Sequence, residues 1–167
     1  MDPLGPADAG ATTGPLTVER VTADDLPDLL PLLRAYCTFY ESDPADDELH
    51  AMATAFLDEA SGGTQLIARD GSGRALGHAT LLSSWDTTLG QRLAVMEDLF
   101  VTEAARGQGV GAALVTACRQ LAAHRGMAWL AWETAPDNAT AQRLYDGLAD
   151  RAGTWLAYRL PTGGPAT

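Results

Sequence analysis

The sequence predicts a mixed α/β domain, with a sheet that is antiparallel early and contains a βαβ unit later. Two observations predict it first. Period-2 and period-3.6 segments follow one another in the order β-α-α-β-β-β-α-β-α-β. The glycine-rich turn "DGSG" also joins two apolar runs as a hairpin. A third observation is the stretch "ARGQGVGAAL", Ala105 to Leu114, where glycines alternate before an amphipathic helix.

Taken in order, "LTVERVT" alternates as a short first strand, and Thr22 with Asp25 resembles a capping box that opens a helix. Leu26, Leu29, Leu30, Leu33, Cys37 and Tyr40 form its apolar face. Pro31 should kink it, because an interior proline removes a backbone donor. After the break "ESDPADDE" a second helix is expected over Asp46 to Glu59. "TQLIARD", "RALGHATLLSSW" and "LAVMEDLFVTE" read as three strands joined as hairpins. Val110, Ala113, Leu114, Ala117, Cys118 and Leu121 line one face of the next helix. "GMAWLAWET" is then a strand, "NATAQRLYDGL" a short helix and "GTWLAYRLP" a closing strand. Residues 16–161 form one domain between tails at 1–15 and 162–167, a size that buries a proper core.

Composition excludes several classes. With 46% hydrophobic residues and 20% charged the chain is globular, and no apolar run reaches membrane-spanning length. The N-terminus lacks the basic flank and apolar centre of a secretory signal, so the expected compartment is cytoplasmic. Cys37 and Cys118 read as buried small hydrophobes, and His50, His78 and His124 have no ligand spacing, so no metal is expected. A net charge of −11 argues against a nucleic-acid surface. All 11 basic residues are arginine, and either solubility or attraction of a cationic amine accounts for the acidity.

The glycines could hold a phosphate in three ways. A P-loop needs a lysine, and the chain has none. Gly107, Gly109 and Ala112 satisfy G-x-G-x-x-G/A, with Glu133 about twenty residues on, as a dinucleotide fold would have. Yet "TEAAR" separates these glycines from their strand, and the preceding strands are hairpins, not crossovers. The third way is a coenzyme pyrophosphate at a helix mouth, where unpaired N–H groups meet the positive end of the dipole.

Here the sequence resembles the GNAT N-acetyltransferases, which carry R/Q-x-x-G-x-G/A between a strand and a helix. Arg106, Gly107, Gln108, Gly109, Val110 and Gly111 match that motif. "VMEDLFV" resembles the family's bulged fourth strand, most closely that of its polyamine and diamine branch. The resemblance implies the GNAT fold, a splayed mixed sheet flanked by helices, with acetyl-CoA as acyl donor. It implies that the backbone of Leu99, Phe100 and Val101 holds the pantetheine arm, with Asn138 beside it. Tyr145 would be the general acid and Glu97 the base, directly or through water. Tyr145 also reads as an ordinary core tyrosine, and Glu97 as an acid in a structural hydrogen bond. Tyr36, Tyr40, Glu41, Trp85, Asp86 and Trp132 could line the acceptor pocket, since aromatics and acids suit an ammonium. The sequence departs from the family at "YDGLAD", which puts the last helix–strand turn in doubt. The implied reaction acetylates a primary amine of a small molecule such as a polyamine, a diamine, an amino acid derivative or an amino-bearing antibiotic. A protein acetyltransferase or a non-catalytic acyl-CoA sensor are the alternatives, and dimerisation is common in the family.

Overall fold

A computed structural model describes residues 14–162, so most of both expected tails lies outside the described residues. These residues fall into two compact units, one ending at Ala135 and the other beginning at Pro136.

The first unit is built on a five-stranded sheet in sequential order. β1 (Thr17–Arg20), β2 (Gly63–Arg69), β3 (Ala75–Asp86) and β4 (Gln91–Val101) pair antiparallel. β5 (Trp129–Ala131) adds parallel to β4. The Asp70 carboxylate organises the expected hairpin turn, accepting from the N–H groups of Ser72 (3.0 Å) and Arg74 (3.1 Å). Gly73 takes the left-handed conformation there, with φ +87°.

Thr22 and Asp25 pair as expected: the Thr22 N–H and hydroxyl both donate to one Asp25 oxygen, at 2.8 and 2.7 Å. A short 3-10 turn follows, and then α1 (Leu26–Phe39), which runs on through Pro31. Val21, Leu29, Leu32, Leu33, Ala53 and Ile67 form one buried cluster that ties α1 to α2 (Asp46–Ala55) and to the sheet. Truncating a leucine in such a cluster to alanine costs about 2–5 kcal/mol. α3 (Val110–His124) covers the opposite face, where Leu121 and Ala122 meet Leu81 and Ala94. Arginine supplies the ion pairs: Arg69 reaches Asp25 (2.8 Å) and Asp28 (2.6 Å), tying β2 to the start of α1. Cys37 and Cys118 are free thiols, and burial pushes the Cys118 thiol up to about 12.

The second unit holds α4 (Ala139–Asp146), capped by Asn138, whose side-chain oxygen accepts from Ala141 N–H at 3.1 Å. Arg151 closes on Asp146 through two hydrogen bonds of 2.8 Å.

Four expectations are corrected. The closing strand "GTWLAYRLP" does not form: residues 151–162 carry no regular structure, and Trp155, Leu156, Tyr158 and Leu160 are exposed. Alternation is a local signal, whereas a strand exists only when a neighbour pairs with it. The strand read from "GMAWLAWET" is only three residues long. The second helix stops at Ala55, and the rest of its expected span is a loop with a 3-10 turn at Glu59–Ser61. Along α1, Leu32 is buried while Tyr40 is half exposed at the helix end, so the apolar stripe is rotated from its expected line.

His78 lies at the centre of β3, fully buried, and burial holds its imidazole down at about 4. The unfolded chain takes up this proton near pH 6.5, whereas the folded chain refuses it until about pH 4. Stability should therefore fall as pH drops through that window and level off below it, by at most about 3 kcal/mol from this group. Histidine-detected NMR should find the His78 ring neutral at pH 5.5; a midpoint near 6.5 would refute its burial.

Candidate functional site

The site begins with a register shift. Thr80 of β3 lies opposite Asp98, but the next residue, Leu81, lies opposite Met96. Glu97 is thus the extra residue of a β-bulge. Without the shift Met96 and Asp98 would share a face, because side chains alternate along a strand. With it, Met96 goes with Leu81 toward α3, while Asp98 goes with Thr80 toward α1. β4 also leaves its other neighbour at this point. It pairs with β5 only through Leu93, Ala94 and Val95. Beyond Val95 no described strand pairs with that edge of β4, so the backbone groups that residues 96–101 turn to it, apart from the Val101 carbonyl held by Arg106, face an extended ligand.

A single turn leads from there to the glycine loop. Gly107 (φ +74°) and Gly109 (φ +82°) are left-handed, and no atom lies within 4 Å of where a Cβ would stand on either. Gly109 caps α3 without a side chain, and the first turn of α3 holds no acid. The first intrahelical bond is donated by Ala113 to the Gly109 carbonyl, at 3.0 Å. The N–H groups of Val110, Gly111 and Ala112 precede it and face outward, as an anion site requires. Arg106 and Gln108 brace the loop on its own backbone, donating to the carbonyls of Val101 (3.3 Å) and Ala104 (2.7 Å). Open helix mouth, glycine cradle and unpaired strand edge together suit the pyrophosphate and pantetheine of a coenzyme A. Gly77, which belongs to no motif, supports this edge from behind. A Cβ on it would stand 2.3 Å from the Phe100 carbonyl oxygen. A glycine inside an apolar strand was the available signal of close backbone approach.

On the α1 face, Tyr36 stands over the sheet with its ring edge-to-face against His78 (5.8 Å), Phe100 (6.3 Å) and Tyr40 (5.0 Å). Its hydroxyl lies beside the Asp98 carboxyl. Burial and that neighbouring charge push the Tyr36 phenol up, while burial pushes the Asp98 carboxyl up against the pull of the Thr80 and Tyr36 hydroxyls. Asp98 is thus the acid that this face holds half-buried, and Glu97 is exposed in the bulge. Gln65, Thr80 and Asp98 lie directly opposite one another on β2, β3 and β4. Both polar atoms of the Gln65 amide and both ring nitrogens of His78 are buried without a hydrogen-bond partner among the described residues, while the Thr80 hydroxyl faces the Asp98 carboxyl. Each such group costs about 1–3 kcal/mol. Asp98, Gln65 and Thr80 were not singled out from sequence, because only the bulge and the pairing register bring them together.

Of the remaining expected pocket residues, Tyr40 and Glu41 end α1. The Glu41 N–H donates to Thr38 (3.1 Å) and the Ser42 N–H to Cys37 (3.0 Å), and Glu41 takes φ +54° where glycine is usual. Trp85 and Asp86 lie at the far end of β3, about 20 Å along the strand from Thr80. Asp86 is occupied there in the turn, accepting from Thr88 and Leu89; its hydrogen bond from the Thr88 hydroxyl draws its carboxyl down. The structure does not bring this pair to Tyr36. Trp132 follows β5 and is partly buried. Asn138 and Tyr145 lie in the second unit, at the cap and in the last turn of α4.

Residues 26–148 match the model of the acetyltransferase (GNAT) family. An uncharacterised N-acetyltransferase of Bacillus subtilis, YhfO, is 24% identical over 131 residues, spanning 78% of this chain and 87% of its own. The crystal structure of "a probable acetyltransferase" is 25% identical with a TM-score of 0.76, covering 87% of this chain and 97% of that one. The structure of AAC(6')-Iy with a bisubstrate analog, CoA-S-monomethyl-acetylneamine, is 20% identical with the same TM-score of 0.76. It covers 89% of this chain and 99% of that one. The chain belongs to the GNAT acetyltransferase family, whose fold uses acetyl-CoA.

Gly77→Ala should push β4 outward at Phe100, lowering stability by about 1–3 kcal/mol. At a temperature where the variant is still folded, calorimetry should show CoA affinity reduced about tenfold. Unchanged affinity would mean that the β4 edge does not hold the coenzyme.

Proposed function

We propose that this chain transfers acetyl from acetyl-CoA to a primary amine of a small molecule. The observation that carries the reading is the unpaired edge of β4, which opens beside an acid-bearing bulge and leads to a bare helix mouth. A sensor needs the coenzyme cradle alone; the carboxylates of Glu97 and Asp98 at the open edge favour turnover.

When bound, the coenzyme supplies an electrophilic thioester carbon and a thiolate leaving group. The N–H groups at the start of α3 hold its pyrophosphate, and the glycines let those oxygens approach the backbone. Free β4 amides between Leu99 and Val101 align the pantetheine, and one of them donates to the thioester oxygen as charge gathers there. Glu97, exposed in the bulge, takes the proton that the amine must lose to attack, directly or through water. Asp98 holds the amine from the side of α1, with Tyr36 fixing its carboxyl. The acid that returns a proton to the departing sulfur is assigned to Tyr145 by its motif, "DNATAQRLY". Acetyl then leaves sulfur for nitrogen as the C–S bond breaks and the C–N bond forms, with no acyl-enzyme.

Three substitutions separate these roles, with thiol release as the assay. Glu97→Gln should lower kcat about 10²-fold or more, the usual worth of general-base help. Asp98→Asn should act chiefly on the KM for the amine. Tyr145→Phe should lower kcat while CoA affinity holds. Full activity in both Glu97→Gln and Tyr145→Phe would remove them from the chemistry.

A further inference from the structure

The sheet face under α1 contains more unmet hydrogen-bonding capacity than a fold needs. Gln65, His78 and Thr80 are 2%, 0% and 2% exposed; the four polar side-chain atoms of Gln65 and His78 find no partner among the described residues, and the Thr80 hydroxyl meets only Asp98. They are neighbours: Gln65 lies opposite Thr80 in the β2–β3 register, and His78 is two residues from Thr80 on the same face. Native interiors leave few polar atoms unpaired, and apolar residues of similar size would pack here without any such loss. What the three side chains offer is also of one kind. A carboxamide, a hydroxyl and an imidazole are neutral donors and acceptors, and the row's one carboxyl is Asp98, opposite Thr80. Groups of that kind pair with hydroxyls and amides. They carry no charge to balance a second ammonium.

We propose that the row Gln65–Thr80–Asp98, with His78 beside it, is an acceptor subsite for an amine that carries hydroxyl or amide groups next to its amino group. An aliphatic polyamine or diamine would bring a second ammonium to a row whose one carboxyl is Asp98, and would leave its donors unmet. The subsite rests on the acetyl-transfer reading above and narrows its substrate. Tyr36 is its cover. The ring contacts buried His78 on one side and half-exposed Tyr40 on the other, so access to the row runs past Tyr36 at the end of α1.

Competing acceptors and two variants test this. Glucosamine supplies hydroxyls, alaninamide an amide, and putrescine neither. With wild-type protein, kcat/KM should be at least about tenfold higher for glucosamine or alaninamide than for putrescine, the worth of one or two well-made hydrogen bonds. Gln65→Leu and Thr80→Val should erase about tenfold of that preference through KM. Gln65→Leu should also melt at or above the wild-type temperature, because it removes two unpaired buried atoms. A structural role for the row predicts the opposite, a lower melting temperature with the preference intact. Putrescine used as well as the other two, or a preference untouched by both variants, would overturn the proposal. Calorimetric titration of the three amines, with and without CoA, separates the two readings. CoA binding with no preferential amine binding overturns the subsite alone. Absence of CoA binding overturns the transferase reading, while amine preference still reports on the row.

Discussion

One extra residue in β4 governs the arrangement of the site. The bulge at Glu97 reverses which residues of the strand face which layer of helices. Before it, Ala94 and Met96 are buried on the α3 side as ordinary core residues; after it, Asp98 and Phe100 are turned beneath α1. The parallel ladder to β5 has already stopped at Val95. An uninterrupted β4 would have placed Asp98 among leucines and alanines on the α3 side. The open edge, the acid under α1 and the exposed acid in the bulge all follow from one unpaired position. Bulges near binding sites commonly re-aim side chains in this way.

The glycines on either side of β4 serve different constraints. At Gly107 and Gly109 the requirement is conformational: both take positive φ in open space, and the loop turns onto the mouth of α3. At Gly77 the φ is ordinary and the requirement is steric, because the Phe100 carbonyl occupies the place of a side chain. The open edge of β4 and the loop beyond it are therefore set from two directions, by a loop that needs freedom and a strand that needs thinness.

Much of the fold was legible in the sequence because it rests on local signals. The Thr22–Asp25 box, the "DGSG" turn, the three hairpin strands and the amphipathic α3 each carry their cause within a few residues. The glycine loop before α3 was legible too, since glycine spacing at a helix start has a direct physical meaning. What escaped depended on partners distant in the chain. "GTWLAYRLP" alternates as a strand should, but forms none. Asp98, Thr80 and Gln65 carry no motif, and only register makes them neighbours. Neighbours on a strand point to opposite faces, but only the bulge decides which of Glu97 and Asp98 is covered. Trp85 and Asp86 had suitable chemistry at the wrong end of a long strand.

Arginine alone supplies the cationic ends of the side-chain ion pairs at Asp25, Asp28, Asp43, Asp46, Asp70 and Asp146. A guanidinium keeps its charge at any physiological pH and is a poor nucleophile toward thioesters. With no lysine in the chain, none of these bridges can be neutralised by the acyl donor that the family handles. A protein that works with a pool of activated acetyl groups thus has side-chain ion pairs that its own reagent cannot acylate.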